Sequence, residues 1–319
     1  MKITVIIRTF SRPDFLAQAL ASVELQSHKD WEVIVFDDGD EPKNQSTVKN
    51  FRDRNSNPVT YINSANPHYL YKKSWFIAPR ISEGEVMIRL DDDDILDREC
   101  LEFISRVFTE TPELDFSYGT SVFFEGDEVS NLMEAKTPLD LPKTRTVWAG
   151  YVAGYPYNQP WAFEDNYFET PRHVTSIIHA SKLNYTCIWH PYVMRVSSVL
   201  KVLDRIKITS NFVDDLEFLG SLDNLGLGYN KLNKVLTYVR KHNLGSLCDP
   251  GNTINGATIH GDLLRVRDEV DFLRPSGLEY QSRIVDIKTD GNYNSGENED
   301  LKERLKLLLS EINSIQYKR

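Results

Sequence analysis

Apolar and polar positions divide the first forty residues into two apolar runs with an amphipathic stretch between them. Residues 3–7 (Ile-Thr-Val-Ile-Ile) and residues 31–36 are largely apolar, which is typical of strands buried on both faces of a sheet. Between them, Leu16, Leu20 and Val23 recur at the spacing of one helix face. The pattern predicts strand, helix and strand, and so short a crossover favours two parallel strands in a right-handed βαβ unit.

The residues before this first helix resemble a capping box. Ser11 stands in the N-cap position, Pro13 falls at the start of the helix, and Asp14 follows Ser11 by three residues. We therefore expect the Ser11 side chain to cap the helix.

The same alternation continues to about residue 240 and indicates an α/β fold. Strands are predicted at 61–62, 86–90, 116–124 and 234–240, helices at 72–81, 99–108 and 211–220, and a strand followed by a helix over 188–203. Strands separated by helices predict a mostly parallel sheet, and such sheets bind ligands at the carboxyl ends of their strands.

Two stretches depart from this alternation. Residues 148–168 carry eight aromatic side chains without a regular period, which predicts an ordered loop whose rings contact an acceptor or pack onto the body. Residues 290–300 are polar and resemble a linker. After them, a charged helix is predicted with apolar residues at heptad spacing: Leu301, Leu305, Leu308, Ile312 and Ile315. This stripe is consistent with packing onto the body, with weak homo-oligomerisation or with membrane contact.

The composition indicates a globular protein with an acidic surface. The chain has 319 residues, of which 40% are hydrophobic, and its net charge of −10 argues against general nucleic-acid binding. Its three cysteines, Cys100, Cys187 and Cys248, are too widely spaced for a zinc motif, and their small number fits a reducing compartment. No apolar run approaches the roughly 20 residues of a membrane span. These features predict a cytoplasmic protein, or one peripheral to a membrane.

Two acidic motifs follow predicted strands. Four consecutive aspartates, residues 91–94, come directly after the strand at 86–90. Adjacent carboxylates repel one another unless a cation neutralises them, and Mn²⁺ or Mg²⁺ with oxygen ligands would do so. A solvated acidic turn is the alternative. Asp37-Asp38-Gly39 after the second strand is either a simple turn or a place where Asp38 accepts hydrogen bonds from a base or ribose.

Five motifs in order are similar to those of the family 2 glycosyltransferases of GT-A fold. Residues 5–12 stand where that family carries a strand ending in Pro-Thr-Tyr-Asn-Arg, and residues 35–40 resemble Val-Asp-Asp-Gly-Ser. Residues 84–94 resemble a Gly-Glu-Tyr-Ile strand leading to the DxD motif. Asp214-Asp215 matches Glu-Asp, and residues 238–246 match the ending Tyr-Arg-x-His-x-x-Ser.

The resemblance covers residues up to about 250 and implies a GT-A fold, a Rossmann-like, mixed and mostly parallel sheet flanked by helices. The helix predicted near the end of the sequence adds a C-terminal helical extension. The expected catalytic domain is 1–250, with a nucleotide-sugar-binding half at 1–97 and an acceptor-binding half at 98–250. The extension is 251–319. The implied reaction is metal-dependent, inverting transfer from a nucleoside-diphosphate sugar, with a UDP-sugar favoured, to the hydroxyl of a carbohydrate or another acceptor.

The resemblance also implies roles for particular residues. Thr9, Arg12 and Asp38 would surround the base and ribose of the donor, with Phe10 stacking nearby.

In the acidic run, Asp91 and Asp93 would be the first and last residues of the DxD motif. Asp93 would bind the metal, and Asp91 the nucleotide or the metal. If the register shifts by one residue, Asp92 and Asp94 take these places, so Asp92 is also a candidate donor-binding residue.

In the second half, Asp215 would be the general base, and His242 would approach the metal or the diphosphate.

Some residues depart from the family pattern. Arg8 stands in place of proline and Asp40 in place of serine. The family's Ala-Arg-Asn segment is replaced by residues 74–76 (Ser-Trp-Phe), so a cation for the diphosphate is missing, for which Lys72 or Lys73 could substitute.

Two other functions remain open from sequence. A sugar-nucleotide nucleotidyltransferase would share the layout, but it requires a Gly-rich basic phosphate loop, which residues 9–12 do not form. A non-catalytic nucleotide- or carbohydrate-binding module of the same fold is the other alternative.

Overall fold

The computed structural model describes residues 1–39, 41–64, 69–125, 128–134, 191–209, 214–241, 253–254, 257–258, 283–284 and 298–317. The predicted aromatic loop at 148–168, the linker at 290–297 and His242 lie outside the described residues.

The described structure contains the predicted strands and helices, together with elements that the sequence pattern did not show. The strands are β1 Ile3–Thr9, β2 Trp31–Asp37, β3 Val59–Asn63, β4 Val86–Asp91, β5 Ile95–Leu96, β6 Phe116–Glu125, β7 Glu128–Glu134, β8 Tyr192–Arg195, β9 Gly228–Lys241, β10 Thr253–Ile254, β11 Ala257–Thr258 and β12 Arg283–Ile284. The helices are α1 Pro13–Glu24, α2 Pro42–Arg54, α3 Tyr69–Ile81, α4 Cys100–Glu110, α5 Val196–Val202, α6 Asp214–Asn224 and α7 Asn298–Tyr317, with a 3₁₀ turn at Leu203–Arg205.

One mixed sheet forms the centre of the described structure. Its strand order is β12-β9-β6-β8-β4-β1-β2-β3, with β5 paired to β9 and β7 to β6. Strand β1 is parallel to both β2 and β4, and β8 is antiparallel to β4 and β6. The chain proceeds from β1 outward to β3 and then returns to the other side of β1 with β4. The carboxyl ends of β1 and β4 are therefore the switch point where such sheets bind ligands.

The strands are buried on both faces, as their continuous apolar runs predict. In β1, Ile3, Val5 and Ile7 pack under α1, α2 and α4, whereas Ile6 faces the opposite layer, which contains α3, α5 and α6. The fold class predicted from sequence is confirmed.

One local prediction changes. The N-cap of α1 is Arg12 and no side chain caps the helix, so the prediction of a Ser11 cap is wrong. Ser11 instead has a φ of 52°. A Cβ on Gly39 would lie 2.8 Å from the Ser11 Oγ, so only glycine permits this approach between the loops after β1 and β2.

The C-terminal helix α7 packs onto the body. Four of its five heptad residues, all except Ile315, are buried against α1, β5, β6 and β9, through contacts with residues that include Ala21, Ile95, Phe124 and Tyr238. Arg304 adds an ion pair to buried Asp97, with its Nη2 2.7 Å from Oδ1. Of the three roles predicted for the heptad stripe, the structure shows packing onto the body.

A pair of substitutions in α7 tests this packing. Leu305 is fully buried, whereas Leu307 is 60% exposed. We expect Leu305→Ala to lower the free energy of unfolding by about 2–5 kcal/mol, because it leaves a cavity under the helix. Leu307→Ala should change it by less than about 0.5 kcal/mol. Urea unfolding of both variants measures this, and equal effects would show that α7 does not dock as described.

Within the described residues, we find no helix that is both long and apolar enough to cross a bilayer.

Candidate functional site

The acidic run turns at the carboxyl end of β4, so its four side chains do not point the same way. One carboxylate oxygen from each of Asp91, Asp93 and Asp94 lies within 4.8 Å of the others. Asp91 and Asp93 are partly exposed and Asp94 is buried. Three hard oxygen ligands at this spacing fit a divalent cation such as Mn²⁺ or Mg²⁺.

Asp92 does not belong to this group of carboxylates and is fully buried. Its Oδ2 accepts a hydrogen bond from the Thr9 hydroxyl at 2.6 Å and another from the Arg12 Nε at 3.2 Å, and its Oδ1 accepts from the Arg12 Nη2. Burial raises the pKa of Asp92 to about 7, although Arg12 acts to lower it. Asp92 therefore joins the loop after β1 to the acidic turn.

Two arginines hold the acidic turn in place. The Arg12 Nη1 lies 2.7 Å from the Asp93 Oδ2. On β9, the Arg240 backbone N–H donates to the Asp94 Oδ1, and its Nε donates to the Asp93 carbonyl, both at 3.2 Å. Arg240 belongs to the motif at 238–246 but was not predicted as a site residue.

The turn after β2 lies beside this site. The Asp38 Oδ1 accepts from the Leu70 backbone N–H at 2.6 Å and from the Ser64 hydroxyl at 3.1 Å, which ties the turn to the start of α3. Asp37 is buried and accepts from the Tyr61 hydroxyl at 2.6 Å. Phe10 is 39% exposed at the end of β1, which leaves its ring accessible to a ligand.

Asp215 lies at the start of α6, close to the acidic turn. Its Oδ2 accepts from the Tyr192 hydroxyl at 2.9 Å and is 4.0 Å from the Arg89 Nη1. The Arg89 Nη2 donates to the Asp91 Oδ1 at 3.1 Å. Burial, together with Asp215 and Asp91, raises the pKa of Tyr192, so Tyr192 stays protonated and donates to Asp215. One guanidinium therefore bridges the predicted base and the acidic turn.

The preceding residue, Asp214, faces the interior. Its Oδ2 is 2.6 Å from the Arg8 Nη1 and accepts from the Trp75 indole N–H. Arg8 and Arg89 were not predicted as site residues. The sequence signal for them was a single arginine near the end of each of the apolar strands β1 and β4. In the structure, the pairing of these two strands places Arg8 opposite Asp91.

Lys72 is one of the two residues predicted to replace the missing diphosphate cation. The Lys72 ammonium donates to the Thr209 carbonyl at 2.9 Å, which ties it to the loop before α6. A diphosphate role for Lys72 or Lys73 stays a prediction.

A match to a family model decides the identity. The model described as glycosyl transferase family 2 matches residues 4–169, just over half of the chain. The chain belongs to glycosyltransferase family 2. The match includes Thr9, Asp38 and the acidic run, and ends before Asp215 and His242.

Two curated relatives are similar to part of the chain. Protein CgeD of Bacillus subtilis is 26% identical over 141 residues, which covers 41% of this chain and 32% of the relative. An uncharacterized glycosyltransferase, alr2836, of Nostoc sp. is 29% identical over 108 residues, 34% of this chain and 33% of the relative. The matches thus span about a third of each relative's length.

A solved structure has the same fold. The 1–349 fragment of S. aureus TarS, in complex with UDP-GlcNAc, superimposes with a TM-score of 0.52 and 16% identity, covering 98% of this family 2 chain and 73% of that chain. The GT-A fold predicted from sequence is confirmed, whereas the roles of individual residues stay predictions.

The acidic turn of this family 2 chain predicts how metal affinity depends on pH. Burial raises the pKa of Asp92 to about 7 and that of Asp94 above its usual range, so both carboxyls hold protons at lower pH. Protons on Asp94 compete with a cation, and the competition weakens as pH rises. We expect Mn²⁺ to raise the melting temperature more at pH 8 than at pH 5.5. Calorimetric melts check this, and an equal or larger shift at pH 5.5 would contradict it.

Proposed function

We propose that this protein transfers a sugar from a nucleoside-diphosphate sugar to an acceptor hydroxyl, with inversion at the anomeric carbon. The observation that supports this best is the position of Arg89, whose guanidinium contacts both Asp91 and Asp215. Arg89 thus links Asp215, a carboxylate that can take a proton, to Asp91, a carboxylate that can hold a cation.

A divalent cation is the proposed cofactor. Asp91, Asp93 and Asp94 provide three clustered carboxylate oxygens, a ligand set that suits a hard divalent ion. His242 stays a proposed additional ligand. When bound, the ion offsets the negative charge that develops on the leaving diphosphate.

The donor nucleoside is proposed to bind at the ends of β1 and β2. The exposed ring of Phe10 offers a face on which a base can stack. Thr9 ends β1 and Asp38 follows β2, and the Asp38 backbone N–H donates to the Thr9 carbonyl at 3.1 Å. The Asp38 Oδ1 is fixed by the Leu70 backbone N–H. Arg12 is 29% exposed and carries the positive charge nearest the acidic turn. UDP-sugars are the first donors to test, because the TarS fragment was solved with UDP-GlcNAc.

Asp215 is the proposed general base. Its side chain is 24% exposed, so an acceptor hydroxyl can reach it. Asp215 takes the hydroxyl proton while the acceptor oxygen bonds to the anomeric carbon, and the bond from that carbon to the diphosphate oxygen breaks. Tyr192 and Arg89 orient the Asp215 carboxylate. Because attack occurs opposite the leaving group, the configuration inverts without a covalent intermediate.

A donor panel tests this proposal. Nucleoside-diphosphate release is measured from UDP-, GDP- and dTDP-sugars with Mn²⁺, with and without simple glycoside acceptors, and the product anomer is read by NMR. We expect release from one nucleotide class, stopped by EDTA, and an inverted anomer. Tight donor binding without release indicates a binding module, and release of pyrophosphate from a sugar phosphate with a nucleoside triphosphate indicates a nucleotidyltransferase.

A further inference from the structure

A buried ion pair joins the central strand β1 to the first residue of α6. The Arg8 Nη1 is 2.6 Å from the Asp214 Oδ2, and these side chains are 5% and 0% exposed. A buried pair of this kind is weak support for stability, because desolvation offsets the attraction between the charges. We therefore consider how the ion pair fixes the position of α6 relative to β1.

The pair lies directly under Asp215. Asp214 faces the sheet and is fully buried, whereas the next side chain on the helix, Asp215, is 24% exposed beside Tyr192. Because successive residues are fixed about 100° apart around a helix, holding Asp214 at one point sets the direction of Asp215.

Trp75 of α3 lies close to both arginines. The guanidinium carbon of Arg8 lies 5.6 Å from the centre of the Trp75 ring, and that of Arg89 lies 5.0 Å from it. The indole N–H donates to Asp214, and the ring stacks on Phe218 of α6 with centroids 4.4 Å apart. Arg8 pairs with Asp214, whereas Arg89 pairs with Asp91 and Asp215.

We propose that Arg8, Asp214 and Trp75 are positioning residues that hold the first turn of α6 so that Asp215 stays beside Arg89 and the acidic turn. The catalytic consequence rests on the proposed function, but the positioning itself does not. Arg8 stands where the resembling family carries proline, so this anchor is a feature of this chain.

The first readout needs no activity. In Arg8→Met and Asp214→Asn, amide hydrogen exchange in the first two turns of α6 should become at least about tenfold faster than in the wild type. The measurement is made at temperatures where the strands of the sheet keep their wild-type protection. Unchanged exchange in α6, or faster exchange throughout the chain, overturns the proposal, whether or not the protein proves to be a transferase.

The second readout is kinetic. A base misplaced by about 1 Å can cost about 100-fold in rate, so we expect Arg8→Met and Asp214→Asn each to lower kcat by about that factor with the donor KM changed less than threefold. The double variant should be no worse than either single one, because both remove the same contact. Asp214→Glu, which keeps the carboxylate, should recover most of kcat.

Two variants make the result decisive. If Arg8→Met does not fold, Trp75→Phe keeps the aromatic ring but removes the N–H donor to Asp214, and it should lower kcat by about tenfold. Arg304→Met is the matched control. It removes the arginine of another ion pair, the one with buried Asp97, and this pair includes no residue of α6. It should destabilise the protein without changing kcat per folded molecule.

Equal kcat losses in Arg304→Met and Arg8→Met, or an effect on KM alone, would overturn the positioning role. Absence of turnover in the wild type with every donor would instead overturn the proposed function, and the exchange measurement would still decide the positioning.

Discussion

Replacing Asp215 with Asn is expected to lower kcat by about 100-fold or more, the usual contribution of a general base. The amide keeps the shape of the side chain and can still accept from the Tyr192 hydroxyl, but it cannot take the proton of an acceptor hydroxyl. Donor binding should be unchanged, because Arg89 joins Asp215 to the acidic turn and the substitution leaves Arg89 and the three clustered aspartates in place. Initial rates with saturating donor, and donor titrations by calorimetry, measure the two quantities.

Glu24→Gln is the matched control for this substitution. It makes the same change from carboxylate to amide at a side chain of similar exposure, 22% against 24%, which pairs with Arg54 away from the site. The control should keep its activity. Unchanged transfer by Asp215→Asn would remove Asp215 from the mechanism.

Replacing Asp93 with Ala is expected to abolish metal-dependent nucleotide binding while the protein stays folded. Asp93 supplies one of three clustered carboxylates, and two remaining ligands hold a hard divalent ion poorly. Without metal, the loss of repulsion with Asp91 and Asp94 should offset the loss of the Arg12 ion pair, so we expect the melting temperature to stay equal or rise.

Titration of a nucleoside diphosphate with and without Mn²⁺ measures this effect. Asp53→Ala is the control, because it removes an exposed carboxylate that forms an ion pair with Lys49 on the same helix, α2. If Asp93→Ala binds nucleotide with the manganese dependence of the wild type, the metal site lies elsewhere.

The strands that build the site could be predicted from sequence, because strands buried on both faces leave continuous apolar runs. The orientation of the four aspartates could not. Alternation of side chains ends with β4 at Asp91, and the following turn places Asp94, rather than Asp92, with Asp91 and Asp93. Thr9 and Arg12 contribute to this, since both donate hydrogen bonds to the Asp92 carboxylate.

The arginine network under the site illustrates a second limit. A lone arginine in an apolar strand is visible in the sequence, but the partner of Arg8 is 206 residues away. Only the packing of α6 against α3 brings Asp214 to it. The same holds for α7, whose heptad stripe was visible whereas the surface that it covers was not.

Helix α2 was missed for another reason. Pro42–Arg54 is almost entirely polar, and only Val48 and Phe51 among its apolar residues are buried. Two apolar positions are too few to show a helical period. The predicted boundaries at 97, 250 and 251 stay predictions.

The most direct test of the account is a calorimetric titration of the wild-type protein with UDP and GDP, in the presence and absence of Mn²⁺. We predict binding of one of these nucleotides that requires Mn²⁺, is lost in Asp93→Ala and persists in Asp215→Asn. Binding of neither nucleotide, or binding that is indifferent to Mn²⁺ and to Asp93, would contradict a metal-assisted nucleotide-sugar site at the carboxyl ends of β1 and β4.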